Sequence, residues 1–253
     1  MAGPDSRFET GVSWFDDAVP DGLAVPSSTV ISGPGGAGKP LVALAVVSSW
    51  LEAGGSVIGA PLQFPDPGFI SDAAETLYDC DLTAFNDQYC HVSFDPTITG
   101  SERTDSGDLR ANLVEPATWA EMIETAEADL DRDGPGVLLF VTALNLPLFS
   151  DTHRAELIAT VEELFDGDLT TLVCVSTSML EEPIREVAAL ADTELVAQVR
   201  EQPRVLEVQR IRQDGQSVDG TVVQAPFGPD TLASIEEQAS AAKQVPLEEI
   251  ESN

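Results

Sequence analysis

The stretch Val30-Ile-Ser-Gly-Pro-Gly-Gly-Ala-Gly-Lys-Pro40 constrains this chain more than any other. Gly33, Pro34, Gly35, Gly36, Ala37, Gly38 and Lys39 fit the pattern G-x-x-x-x-G-K. Residues 29–32 before it read as a buried strand, and residues 41–51 after it as an apolar helix. A Gly-rich turn between a strand and a helix N-terminus gathers backbone N–H groups that bind phosphate. One position departs. The pattern continues with Ser or Thr, whose hydroxyl holds Mg²⁺, and here Pro40 stands in its place. Proline has neither a hydroxyl nor an N–H, so a metal ligand and a phosphate donor are lost together. It also biases Lys39 away from helical backbone. Three readings stay open: a plain strand-to-helix turn that keeps its glycines for backbone conformation, metal-poor nucleotide binding through Lys39 and the loop amides, or competent hydrolysis.

The 253 residues suffice for one large domain with a full core. No apolar run approaches the ~20 residues that span a bilayer, and residues 1–7 lack a basic-then-apolar leader pattern. The reading is a soluble, cytoplasmic protein. Its 44 acids against 12 Lys and Arg give a net charge of −32, and the only lysines are Lys39 and Lys243. Such a chain repels itself in dilute buffer. In molar salt, where the Debye length is about 3 Å, that repulsion is screened. The composition resembles that of salt-in halophiles, haloarchaea above all. One of two lysines therefore sits where phosphate chemistry places it. Cys80, Cys90 and Cys174 form neither a disulfide framework nor a zinc pattern, and Cys174 reads as core.

In chain order, residues 11–19 read as a short helix with Trp14, Phe15 and Val19 on its apolar face, and 20–22 as a turn. Residues 55–61 form a second apolar strand around Val57-Ile58-Gly59-Ala60, 65–68 a break, 69–78 a helix and 88–94 a strand. Residues 95–114 read as a flexible surface loop. A helix follows over 116–130, then a buried strand over 136–142. A helix capped by Asp151 or Thr152 runs to Phe165, another buried strand covers 169–176, and a helix covers 180–190. Segments 193–199, 204–211 and 218–224 have strand character around an Asp214-Gly215 turn. Strands alternating with helices predict an α/β fold with a mainly parallel central sheet and an antiparallel C-terminal extension. Residues 1–227 form the domain and 228–253 an acidic C-terminal tail with a short helix.

The order of these pieces resembles the RecA/RadA/KaiC superfamily of P-loop ATPases, in particular its single-domain, KaiC-like archaeal branch. Thr10-Gly11-Val12-Ser13-Trp14-Phe15-Asp16-Asp17 is similar to that family's T-G-[IV]-x-x-[LF]-D opening, and 22–26 to its turn into the first strand. The likeness covers the chain to about residue 225, later by layout more than by identity. It implies a RecA-like P-loop fold in which the strand at 29–33 lies centrally with the strand at 136–142 beside it. It also implies catalytic positions, and this chain departs at each. A water-polarising pair of glutamates is replaced by Gln63 and Phe64, which neither accept a proton nor orient water. The Mg²⁺-supporting Asp at the end of the later strand is replaced by Val141, or by Thr142 in the adjacent register.

Phosphoryl transfer rests on positioning and charge neutralisation. Losing the metal ligands and the base predicts a degenerate member without catalytic or metal-binding residues. ATP binding through Gly33–Lys39 is then weak and independent of Mg²⁺, and the chain acts through a protein partner or its own oligomer as a regulatory or scaffold protein. A slow ATPase is the alternative. Ser176-Thr177-Ser178 occupies the place where relatives sense the terminal phosphate, or caps the next helix. His153-Arg154 faces a neighbouring subunit or solvent. Nucleic acid is disfavoured, since 95–114 offers only Arg103 and Arg110 to neutralise phosphates.

The charge balance makes the first prediction. The chain is folded in molar KCl and loses secondary structure in dilute buffer; a far-UV spectrum unchanged between ~3 M and ~0.05 M salt contradicts this.

Overall fold

The computed structural model describes residues 6–61, 67–105, 107–142, 144–149, 153–178 and 181–242. Strand β1 (Arg7–Phe8) pairs antiparallel with β2 (Leu23–Ala24) across helix α1 (Ser13–Ala18). Then come β3 (Ser28–Gly33), α2 (Lys39–Glu52), β4 (Ser56–Ala60), α3 (Pro67–Tyr78) and β5 (Tyr89–Phe94). They are followed by β6 (Ser101–Arg103), β7 (Leu109–Ala111), α4 (Thr118–Glu127), β8 (Val137–Val141), α5 (Asn145–Phe149), α6 (Arg154–Phe165), β9 (Thr170–Ser176) and α7 (Glu181–Leu190). The last elements are β10 (Thr193–Glu201), β11 (Arg204–Gln213), β12 (Gln216–Ser217), β13 (Val222–Gln224) and α8 (Pro229–Ala242).

The large sheet has the order β12-β11-β10-β3-β9-β8-β4-β5-β7-β6, with β13 also paired to β11. From β10 through β7 the strands run parallel. Strands β11, β12 and β13 add antiparallel at one edge, and β6 at the other. The fold is thus α/β with a mostly parallel, mixed sheet and an antiparallel C-terminal part. Alternate residues of the central strands serve opposite faces, as the two-residue period of a strand requires. Ile31, Leu172, Cys174, Leu138 and Phe140 pack under α1, α2 and α3. Val30, Val173, Val175, Leu139 and Val141 pack under α4, α6 and α7. Helix α2 is buried on every side from Leu41 to Leu51, which is why its sequence is apolar all round rather than amphipathic. Trp50 is fully buried in it, meets the Phe8 ring at a tilt of 60° and donates its indole N–H to the Gly136 carbonyl at 2.9 Å.

Three expectations are corrected. Strand β3 is central, but its neighbours are β9 and β10; β9 lies between it and β8. Strands β3, β8 and β9 are all buried between helices on both faces, so burial alone does not rank them across the sheet. Residues 95–114 are not a loop throughout: β7 pairs with β5, β6 pairs with β7, and Leu109, Ala111 and Leu113 are buried. The alternation Leu-x-Ala-x-Leu carried that signal inside polar flanks. Pro67 and Gly68 begin α3 instead of breaking the chain, as suits proline in a first helical turn. The proposed caps Asp151 and Thr152 lie outside the described residues; α6 begins after His153, which makes no side-chain cap. Past residue 227 the chain is still packed, with Leu232 of α8 buried against the first core and Arg204 paired to Glu236. Among the described residues no helix is long and apolar enough to cross a membrane.

Candidate functional site

The loop from Gly33 to Gly38 leaves the carboxyl end of β3 and enters α2. The connection from β3 runs through α2 on one face of the sheet, and the connection from neighbouring β9 runs through α7 on the other. Adjacent strands whose connections diverge leave a crevice at their carboxyl ends, where open α/β sheets bind ligands. The loop opens at that point.

Two glycines explain why the loop takes this shape. A Cβ on Gly33 would lie 2.1 Å from the Ala197 carbonyl oxygen, so β10 can approach β3 this closely only without a side chain there. Gly38 caps α2 with a φ of 70°, in the left-handed region that other residues enter at a cost. Lys39 then starts the helix, with Pro40 second. The expected bias of Pro40 against helical backbone at Lys39 is overridden, because the Leu41 and Val42 N–H groups both bond to the Gly38 carbonyl, at 2.9 and 3.3 Å, and close the turn.

Lys39 is only 7% exposed. Its ammonium folds back over the loop and donates to the carbonyls of Pro34 at 2.7 Å and Gly33 at 3.1 Å. Cys174 lies close by on β9; burial pushes its thiol up to about 12, and the Lys39 charge opposes that only partly. The Gly33 carbonyl also accepts from the Thr177 N–H at 2.9 Å. Ser178 Oγ accepts the Gly35 N–H at 2.7 Å. Ser178 is thus joined to the loop. Beneath it, the side-chain amide of Asn145 donates to the Ser176 carbonyl and accepts its N–H, both at 2.8 Å, so it continues the sheet beyond β8. Asn145 was not recognisable as a site residue: it is a single amide with no patterned neighbour.

The acid positions give a different picture. Val141 ends β8 with 1% exposure, packed in the second core with Leu144, Val161 and Phe165. Thr142, the next residue, follows the strand half-buried and donates its N–H to the Ala60 carbonyl at 3.3 Å. Gln63 and Phe64 lie outside the described residues. Two carboxylates bond to β3: Asp192 accepts the Ser28 N–H at 2.9 Å and its hydroxyl at 3.0 Å at the strand's start, and Glu194 accepts from Ser32 Oγ at 3.3 Å nearer the loop. Its alternation places it on the α7 face with Val30. Burial raises its carboxyl, opposed by Ser32 and Arg212. Among the described residues no group of three or more His, Cys, Asp or Glu could hold a metal ion.

The remaining candidates are engaged within the chain. Arg154 donates to the Leu148 carbonyl at 3.0 Å. Arg103 pairs with Asp129 and bonds the Gly107 and Thr125 carbonyls, and Arg110 lies 3.7 Å from Asp95. The arrangement around the loop is one buried ammonium, backbone amides and uncharged hydroxyls, the chemistry of an anion cradle. No known family model matches the chain, and neither does any curated protein.

Gly33→Ala is expected to lower stability by at least about 2 kcal/mol, the scale of overpacking against a fixed backbone. Denaturation midpoints in molar KCl measure it, and an unchanged midpoint would show that β10 does not pack on the loop.

Proposed function

We propose that this chain is a degenerate RecA/RadA/KaiC-like P-loop protein. It holds a nucleotide's phosphates weakly and without Mg²⁺, does not hydrolyse ATP, and acts on a protein partner or on further copies of itself as a regulatory or scaffold component. The observation that carries this reading is the pairing of Lys39 and Pro40 at the start of α2. The lysine is folded over an intact glycine loop, while the next residue has nothing to offer a metal.

The residues of the loop would do three things. The first turn of α2, which Lys39 opens, carries the partial positive charge of a helix N-terminus and attracts an anion. The ammonium supplies one full positive charge from a desolvated position. The glycines let the backbone approach a phosphate closely. Against this stands the whole-molecule charge of −32, which repels a nucleotide polyanion at long range. Mg²⁺ would normally neutralise part of that polyanion, and Pro40 withdraws its ligand. Molar salt screens the long-range term and leaves the loop contacts in force.

A slow ATPase is the competing reading, and the retained Lys39 geometry favours it too. The two differ in metal dependence. Titration calorimetry with ATP in molar KCl should give one weak affinity with and without Mg²⁺. Pro40→Ser restores a metal ligand and a donor, and should make binding Mg²⁺-dependent and tighter by about 1–3 kcal/mol, the scale of a charge-assisted hydrogen bond. Tight, Mg²⁺-dependent binding by the unaltered chain would sink the proposal.

A further inference from the structure

The loop's Gly35 N–H is already taken by an oxygen of the protein itself. Ser178 Oγ sits 2.7 Å from it, in the place an anion's oxygen would use. We infer that the Ser178 hydroxyl is an internal occupant of the phosphate loop, an autoinhibitory contact that a bound anion must displace. This rests on the reading of the loop as a phosphate site.

The contact follows from architecture. Ser178 lies two residues beyond Ser176, and Ser176 is fixed through both its N–H and its carbonyl by the Asn145 side chain. Thr177, between them, donates its N–H to the Gly33 carbonyl. The segment that carries Ser178 is therefore fastened to the start of the loop, one residue at a time. The Cβ position of Gly35 lies 3.4 Å from Ser178 Oγ and 3.6 Å from Ser176 Oγ, so both serines border the same lip.

The contact matters more here than in a loop followed by Ser or Thr, because donors are scarce. Pro40 has no N–H. The Leu41 and Val42 N–H groups are directed to the Gly38 carbonyl, and the Ala37 N–H to the Pro34 carbonyl at 3.2 Å. The Gly35 N–H, held by the hydroxyl of an exposed serine, is thus a donor that an anion can capture. A serine hydroxyl is a neutral acceptor, whereas a phosphate oxygen forms a charge-assisted bond about twice as strong. A phosphate therefore wins the exchange at sufficient concentration, and the contact sets a threshold instead of a block. Ser178 is exposed, so its released hydroxyl turns to water without being left buried and unpaired. A modest, reversible weakening results. One net hydrogen bond corresponds to about a two- to tenfold change in affinity.

The test compares the full chain with Ser178→Ala and Ser178→Thr in molar KCl, titrated with ATP and with inorganic triphosphate, both without Mg²⁺. Amide hydrogen exchange at Gly35 is followed in the absence of any ligand. Ser178→Ala should bind both probes about two- to tenfold more tightly and speed exchange at Gly35. Ser178→Thr keeps the hydroxyl and should match the unaltered chain in both readouts. If Ser178→Ala binds equally or more weakly while the unaltered chain binds, the phosphate reading stands and the inhibitory contact is overturned. If neither binds either probe, the phosphate reading itself fails and the inhibition falls with it.

Discussion

The backbone of Gly33 is the point on which both fold and site depend. Its carbonyl accepts from the Thr177 N–H at the end of β9 and from the Lys39 ammonium at the start of α2. Its missing side chain lets the Ala197 carbonyl of β10 lie against it. One residue therefore joins β3 to the strands on both sides and to the helix above. A single substitution here would disturb sheet packing and the loop together. The glycines of the loop consequently have a structural reason to be present apart from any ligand. The same does not hold for Lys39. A long, charged side chain buried to 7% exposure demands partners, and it finds them in the two carbonyls that open the loop.

The electrostatics of the molecule and of the site oppose each other. The chain carries 44 acids, yet the loop presents an ammonium, amides and hydroxyls. Val141, which ends β8, is taken up by the second core. Among the described residues of the loop the donors outnumber the groups that could organise a cation, which is why the proposed function is binding without hydrolysis: positioning and charge neutralisation are most of phosphoryl-transfer catalysis.

The sequence carried the local elements well because their signals are local. The buried strand at β3, the all-apolar α2 and the Gly-rich turn between them are read from adjacent residues. The order of the strands was not legible: β3, β8 and β9 are all buried whatever their residues, and only tertiary packing places β9 in the middle. The short strands β6, at the edge, and β7, beside it, were hidden by polar neighbours, although Leu109, Ala111 and Leu113 alternate. At the site, the loop residues could be named from the motif. The roles of Asn145 and Ser178 could not, since each acts across more than 30 residues of sequence, with |i−j| of 31 and 143.

The central claim is that the phosphate loop is preserved in shape while the chemistry that hydrolysis needs is gone. Phosphate release from ATP, measured with saturating Mg²⁺ in molar KCl on the unaltered full chain, tests it most directly. Release no faster than the protein-free control is the result this account predicts. Steady release in proportion to protein concentration, lost on Lys39→Ala, would contradict it.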